Sequence, residues 1–351
     1  VIGMAKSGEA AARALIAEGA EVRITESSSE SDLSARAPRG AELLAGGHVP
    51  EHLDGATLVV VSPGVPEGTD VIRWARARRL PVWSELELGA RLCTVPFVAV
   101  TGTNGKTTTT ELVASMMRAG GLRVRACGNV GHPFSTAALE PVDALAVEAS
   151  SFQLRFAPGF HPKVSVLLNL APDHLDWHGS YERYADAKAH IFANQRGDDV
   201  HVGNLDDADA AARSRKAPCR VLWFREGLPD PGQIGVDDGT VLLRGAPGER
   251  DIEFGEPPFE APRFLADAAA AAAAGLAFGL GPTAIRDGFR GFRLHAHRGE
   301  SVGRVGGVTF MDDSKATNPH AALASLRGME HAILIAGGLA KGIDLSPLAA
   351  A

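Results

Sequence analysis

The stretch VAVTGTNGKTTTTELVASMM (98–117) carries the densest chemistry in the chain. A β-branched run enters a loop with two glycines, followed by a lysine, a row of threonines and a helical pattern. Gly102, Thr103, Asn104 and Gly105 form the loop, and Lys106, Thr107 and Thr108 open the helix. Glycines let a backbone approach an anion, and the free N–H groups of a helix start point at it. The pattern predicts a nucleotide-phosphate cradle, with Lys106 on the terminal phosphates and the Thr107 hydroxyl on Mg²⁺. The spacing is G-x-x-G-K-T, shorter than G-x-x-x-x-G-K-[ST], and Val100 stands where the further glycine would be. The bland alternative is a glycine turn of any α/β protein, and the strand before and helix after argue against it. The loop alone leaves three uses open: a hydrolytic switch, transfer to an acceptor, or activation of a carboxylate.

Two downstream segments add polar groups. Glu148 ends an apolar strand pattern, where ligands gather in open α/β sheets, although a lone strand-end glutamate is more often solvated. LLNLAPDHLDWHGSYERYADAKAHIF (167–192) runs strand, loop, helix, with Asp173 and His174 at the strand's exit. His174 and His178 have an i, i+4 spacing that suits zinc, but H-E-x-x-H is absent and Gly179 beside Trp177 argues against a helix there. Lys188 reads as a protonated, solvated helix lysine, with a reference pKa of ~10.4 that would repel a cation.

The elements that must hold these groups alternate. Residues 58–61, 97–100, 144–147, 164–168 and 332–335 read as strands, and 10–18, 108–119, 181–194, 263–278 and 320–326 as helices. Such alternation predicts an α/β fold with mainly parallel sheets. Residues 1–93 form a first block, 94–294 a second and 295–351 the start of a third. Within 198–262 short strand-like pieces alternate with Gly, Pro and Asp, which predicts an antiparallel edge on the central sheet. The alanine run 268–274 reads as a closely packed helix rather than a disordered tract.

Composition narrows the class. The 351 residues favour two or three domains, and 45% hydrophobic with 22% charged residues is globular. A net charge of −7 argues against a general nucleic-acid binder. Three scattered cysteines without a C-x-x-C predict no disulfide scaffold and a reducing compartment. No apolar run has the length of a membrane span. Val1 falls inside a strand pattern and Ala351 just as another element begins, so the chain reads as a fragment of a longer protein.

GTNGKT, VEASSFQL (147–154), LNLAPDHLDWHG (168–179) with its following helix lysine, HRGE (297–300) and DSKATN (313–318) occur in an order that resembles the ATP-dependent Mur ligases of bacterial cell-wall synthesis. That family also includes folylpolyglutamate synthetases. DSKATN and GGLAKGIDLSPL (337–348) resemble the branch that adds D-glutamate to UDP-N-acetylmuramoyl-L-alanine, as does VIGMAKSGEAAARAL (1–15) followed by VRITESS (22–28). The D-N-P-R motif expected of the diamino-acid-adding relative is absent.

The resemblance implies three domains: a Rossmann-like UDP-substrate domain, a central P-loop ATPase domain and an α/β C-terminal domain cut short here. It implies a cytoplasmic bacterial enzyme, expected to be a monomer, that uses ATP and Mg²⁺. Such ligases phosphorylate a carboxylate to an acyl phosphate, which the incoming amine attacks. By resemblance Lys106 contacts the β- and γ-phosphates, and Thr107, Glu148 and His174 belong to the metal set. Lys188 matches a lysine that is carbamylated, which turns an ammonium into an anionic metal partner. Asn129 matches a muramoyl contact, Arg298 and Asp313 match ATP contacts from the third domain, and Lys315 lies in the same motif. Thr317 and Lys341 match positions that hold the D-glutamate carboxylates. In the first block Ser7 matches a diphosphate contact, Glu26 and Ser27 the uracil-facing positions, and Gly64 a nearby substrate loop.

The segment GMAKSG (3–8) has Ala5 in place of the central glycine of G-x-G-x-x-G, so an NAD reading is weak. A Rossmann-like domain without a ligand remains the plain alternative there. Where the family often has asparagines entering the adenine-side helix, this chain has Phe264 and Asp267. A nucleotide-dependent switch is the rival of a different class, and the N-K-x-D signature of guanine binding is absent. G-x-S-x-G, the mark of a serine hydrolase, is also absent.

Overall fold

The computed structural model describes residues 1–29, 36–257, 264–326, 329, 331–338 and 345–349. The first block is a parallel sheet in which Ile2 bridges Thr25 on one side and Val61 on the other. Around it lie Val22–Thr25 paired with Ala41–Leu44, and Val59–Val61 paired with Val82–Ser84. Helix Lys6–Ala17 packs its alanines against this sheet. It starts four residues earlier than its alanine pattern suggests, because the loop before it is short. Gly3 turns at φ +82°, and a Cβ on Gly8 would lie 1.9 Å from the Gly3 carbonyl, so the first helical turn closes on the loop.

The central block is built on nine strands. In order across the sheet they are Ile252–Gly255, Thr240–Leu243, Ile234–Asp237, Arg220–Phe224, Val200–Asn204, Val164–Leu167, Phe97–Thr101, Ala144–Glu148 and Val124–Gly128. The pairings from Ile234–Asp237 to Val124–Gly128 are parallel, and Thr240–Leu243 and Ile252–Gly255 at the opposite edge pair antiparallel, as the composition of that region predicts. Phe97–Thr101 is buried throughout, with Val98 and Val100 in one core and Phe97 and Ala99 in the other. A strand covered on both faces reads as a continuous apolar run. Helices Lys106–Ala119, Leu265–Phe278 and Pro282–Gly291 cover one face. All of Ala268–Ala274 is buried, so the alanine run is a packed helix whose small side chains admit close neighbours. Helix Glu85–Leu92 joins the first block to the second face, where Leu86 packs in the core with Phe134 and Ala185.

In the third block, hairpin Glu300–Val305/Val308–Asp312 turns on Gly306 and Gly307, both at positive φ, as a two-residue hairpin loop needs. Helix Pro319–Leu326 follows. Three sequence expectations need correction. Residues 332–335 form no strand: Ile333 and Ile335 are 93% and 92% exposed, and among the described residues no neighbouring strand offers a ladder. The helix expected over 181–194 ends at Ala189 and passes into the 3₁₀ turn His190–Phe192. A helical turn does form at Leu175–His178, and Gly179, at φ +79°, ends it rather than preventing it.

Candidate active site

The strand order sets the site. Phe97–Thr101 lies between Ala144–Glu148 and Val164–Leu167, with Val100 opposite Glu148 and Thr101 opposite Leu167. All three carboxyl ends therefore open on the glycine loop. Gly105 holds φ +84° at the start of helix Lys106–Ala119, a conformation that suits glycine. The loop is pinned from below: Asn169 accepts the Asn104 N–H at 2.8 Å, and its carbonyl accepts the Thr103 N–H at 2.9 Å.

Two buried lysines meet at this loop. Lys106 Nζ donates to the carbonyls of Gly102 (3.0 Å) and Thr103 (2.9 Å), and Lys188 Nζ donates to the same Gly102 oxygen at 2.7 Å. Lys188 is only 2% exposed, which corrects the reading of a solvated helix lysine. Burial and then the Lys106 charge hold it well below the ordinary lysine pKa, with Asp173 and Glu148 opposing. Burial also lowers Lys106, with Glu148 and Asp173 opposing. Lys188 therefore tends toward the neutral amine.

Glu148 receives the Thr107 hydroxyl on Oε2 at 2.8 Å and the Asn129 amide on Oε1 at 2.9 Å. Two hard oxygen donors at a strand end suit a hard cation such as Mg²⁺. His174 sits at φ +51°, its Nε2 3.6 Å from Asp173 Oδ2 and its ring 4.7 Å from Phe152. His178 turns away to the Ser151 hydroxyl at 3.0 Å, and burial with the Lys188 charge lowers its pKa to about 4. Among the described residues no group of three or more His, Cys, Asp and Glu side chains is placed to hold a metal. Thr108 is buried, and its hydroxyl finds no partner among the described residues.

Groups from the third block also reach the loop. Arg298 lies close enough to lower the Lys106 pKa, and among the described residues its buried Nε finds no hydrogen-bond partner. Asn318 exchanges side-chain hydrogen bonds with Asn104 at 2.9 and 3.3 Å, and His320 Nδ1 lies 2.8 Å from the Asn104 amide. Asp313 instead accepts the Ser325 hydroxyl, and Lys315 and Thr317 are exposed. Lys341 lies outside the described residues.

In the first block Glu26 gathers the N–H groups of Met4 (2.7 Å), Ser27 (2.7 Å) and Ser28 (3.2 Å) and the Ser27 hydroxyl. Burial raises its pKa, but these bonds outweigh it and hold the carboxyl below its usual range. Ser7 lies in the first turn of helix Lys6–Ala17, and Gly64 in the turn after Val59–Val61 with open space around its α-carbon.

Two residues, Tyr184 and Asn169, escaped the sequence reading, and Asp173, placed at the strand's exit, was given no role there. Tyr184 puts its hydroxyl 2.9 Å from Thr103 Oγ1 and its ring 4.7 Å from Lys188 Nζ. Its place four residues before Lys188 was the available signal. Asn169 and Asp173 stand in the LNLAPDH segment without a distinguishing pattern. Asp267, noticed only as a departure from the family, lies buried against the loop: a Cβ on Gly105 would sit 2.0 Å from its Oδ1.

Known proteins similar to this chain share its sequence over most of its length. Residues 100–229 match the family described as Mur ligase middle domain, and residues 1–84 match Mur ligase MurD-like, N-terminal domain. The UDP-N-acetylmuramoylalanine–D-glutamate ligase of Frankia casuarinae is 43% identical over 99% of this chain and 75% of its own length. The ligase of the same name from Streptomyces avermitilis is 42% identical over 100% of this chain and 78% of its own. Among solved structures, MurF from Acinetobacter baumannii superposes with a TM-score of 0.57 at 18% identity, covering 92% of this chain and 69% of that one, a likeness of fold.

Proposed function

Since the chain belongs to the Mur ligase family, we propose that it joins D-glutamate to UDP-N-acetylmuramoyl-L-alanine with ATP, a step of peptidoglycan synthesis. The observation that carries the reading is the convergence of Lys106 and Lys188 on one carbonyl, beside a glutamate already gripping the Thr107 hydroxyl. A loop lysine, a second buried lysine whose charge is disfavoured, and a hard-oxygen pair together fit a transferring phosphoryl group and its cation.

In this reading the loop N–H groups and Lys106 bind the nucleotide phosphates. Mg²⁺, held by Thr107 and Glu148 with His174 alongside, would neutralise phosphate charge. The muramoyl peptide's carboxylate takes the γ-phosphoryl group and becomes an acyl phosphate. The D-glutamate amine attacks its carbonyl carbon, and inorganic phosphate leaves. A carboxylate is a poor electrophile, and phosphate supplies the leaving group that amide formation needs.

Lys188, kept toward its neutral form, has the free pair needed to add CO₂ and lose a proton. The resulting carbamate is an anion that would complement the cation in place of a repelling ammonium. Asn129 holds Glu148 and faces the muramoyl group. Ser7, Glu26, Ser27 and Gly64 bind the UDP end. Arg298 and Asp313 serve ATP, while Lys315, Thr317 and Lys341 serve the amino acid. Residues 1–93, 94–294 and 295–351 act as three domains in a cytoplasmic monomer. Among the described residues no helix is long and apolar enough to cross a membrane.

The test is phosphate release by the full-length protein with ATP, Mg²⁺ and UDP-N-acetylmuramoyl-L-alanine, one amino acid at a time. Release that requires D-glutamate and yields the matching peptide is expected. Release with another amino acid would move the chain to another branch. Release without any acceptor would favour a nucleotide switch.

A further inference from the structure

A cavity of about 630 Å³ lies between the first and central blocks. Its size falls among small-molecule sites, which run ~300–1,000 Å³. Helix Tyr181–Ala189 forms one wall and has two working faces. Tyr184 and Lys188 face the phosphate loop, whereas Arg183 and Ala187, with His190 just beyond, face the cavity. Leu80 and Val82 from the first block and Leu154 and Phe156 from the central block supply an apolar lining.

The charge around this cavity is unbalanced. Arg76, Arg155 and Arg183 all line it, and all three reach one carboxylate, Glu67. Arg76 Nη2 lies 2.5 Å from it, Arg155 Nε and Nη2 each 2.8 Å, and Arg183 Nη2 3.4 Å. Asp186 also lines the cavity, but its carboxylate meets Arg213 at 3.3 Å. Among the described residues the remaining guanidinium nitrogens of the three arginines make no further hydrogen bond. A guanidinium presents five donors in a planar fork that matches a carboxylate or phosphate. Three forks on one carboxylate leave a net positive charge and water-facing donors at the mouth of the cavity, beside Leu80 and Val82.

We propose that this cavity binds a small organic anion with an apolar body, its carboxylate or phosphate on the arginines and its body against the half-buried Leu80 and Val82. Such a ligand touches the first block, the central block and the back of the helix that carries Lys188. The inference does not depend on which amino acid the enzyme adds.

The test uses 4-fluorophenyl phosphate and 4-fluorobenzoate as probes, followed by ¹⁹F NMR on the full-length protein saturated with Mg²⁺–ADP to occupy the phosphate loop. Saturable binding of at least one probe is expected, and the tighter one names the head group. Arg155→Gln and Arg183→Gln should each weaken it by about 10-fold, the worth of one charge-assisted hydrogen bond. Leu80→Trp, which fills the cavity and keeps every arginine, should abolish it, with circular dichroism confirming that each variant is folded. No saturation of either probe below about 10 mM overturns the proposal. So does binding indifferent to Leu80→Trp, or fluorobenzene binding as tightly as the anions. In those cases the cluster is an ion-pair pin between two blocks and nothing more.

Discussion

His201 makes the central sheet sensitive to acid. It sits fully buried in strand Val200–Asn204, with Nδ1 2.7 Å from the Ser165 hydroxyl and Nε2 2.9 Å from the Ser214 hydroxyl. Burial, partly opposed by a hydrogen bond at Ser165, lowers its pKa from 6.5 to about 3. The unfolded chain takes up a proton here near pH 6.5, and the folded chain only near pH 3. Stability from this residue is therefore intact above the unfolded value and is lost as pH falls through the window between the two. At ~1.4 kcal/mol per pH unit the whole window is worth about 5 kcal/mol, and the part between pH 7 and pH 5 about 2 kcal/mol. The assay is urea unfolding at pH 7 and pH 5 for the native chain and His201→Gln. With a slope of about 2 kcal/mol per molar urea, the native midpoint should fall about 1 M further than the variant's. Every other ionisable side chain is common to the native chain and the variant, so the difference isolates His201. His201→Asn provides a second non-titrating variant, with its amide placed for Ser165 rather than Ser214. Equal pH dependence in the native chain and both variants would refute the argument.

Other outcomes follow from the active site. Lys188→Ala should abolish peptide formation, and short carboxylic acids should partly restore it by standing in for a carbamate; no rescue by any of several acids would remove that role from Lys188. Asn129→Ala should raise the Mg²⁺ needed for half-maximal rate by about 10–100-fold, because Asn129 orients Glu148 as an outer partner; an unchanged Mg²⁺ curve would count against the metal assignment. Gly105→Ala should weaken nucleotide binding, since its Cβ would meet Asp267 and its φ of +84° disfavours a side chain. Adding Asp267→Ala should recover part of that loss in calorimetry, and no recovery would leave backbone strain as the whole cause. Small-angle scattering should show compaction when ATP analogue and muramoyl substrate bind together, as the third block closes through Asn318 and Arg298; an unchanged radius would set hinge closure aside.

The sequence carried what depends on local pattern and lost what depends on distant packing. The glycine loop, its strand and its helix were legible because their spacing is a local constraint on one turn. Glu148 was legible as a strand end, but its grip on Thr107 comes from the register that sets Val100 beside it, which no local pattern states. Lys188 shows the loss most clearly. As a helix residue among Asp and Ala it looked solvated, yet the sheet order brings the phosphate loop over it and buries its amine. Only the family resemblance singled it out. Tyr184 was missed for the same reason, because its value lies in touching Thr103, 81 positions away. Residues 332–335 failed in the opposite direction: they have the composition of a strand, but a strand is defined by its neighbour. The same logic separates the two faces of helix Tyr181–Ala189. Residues of one short segment line the phosphate loop and the arginine-lined cavity at once, because neighbouring positions of a helix point to different faces, and no local pattern tells which face meets which element.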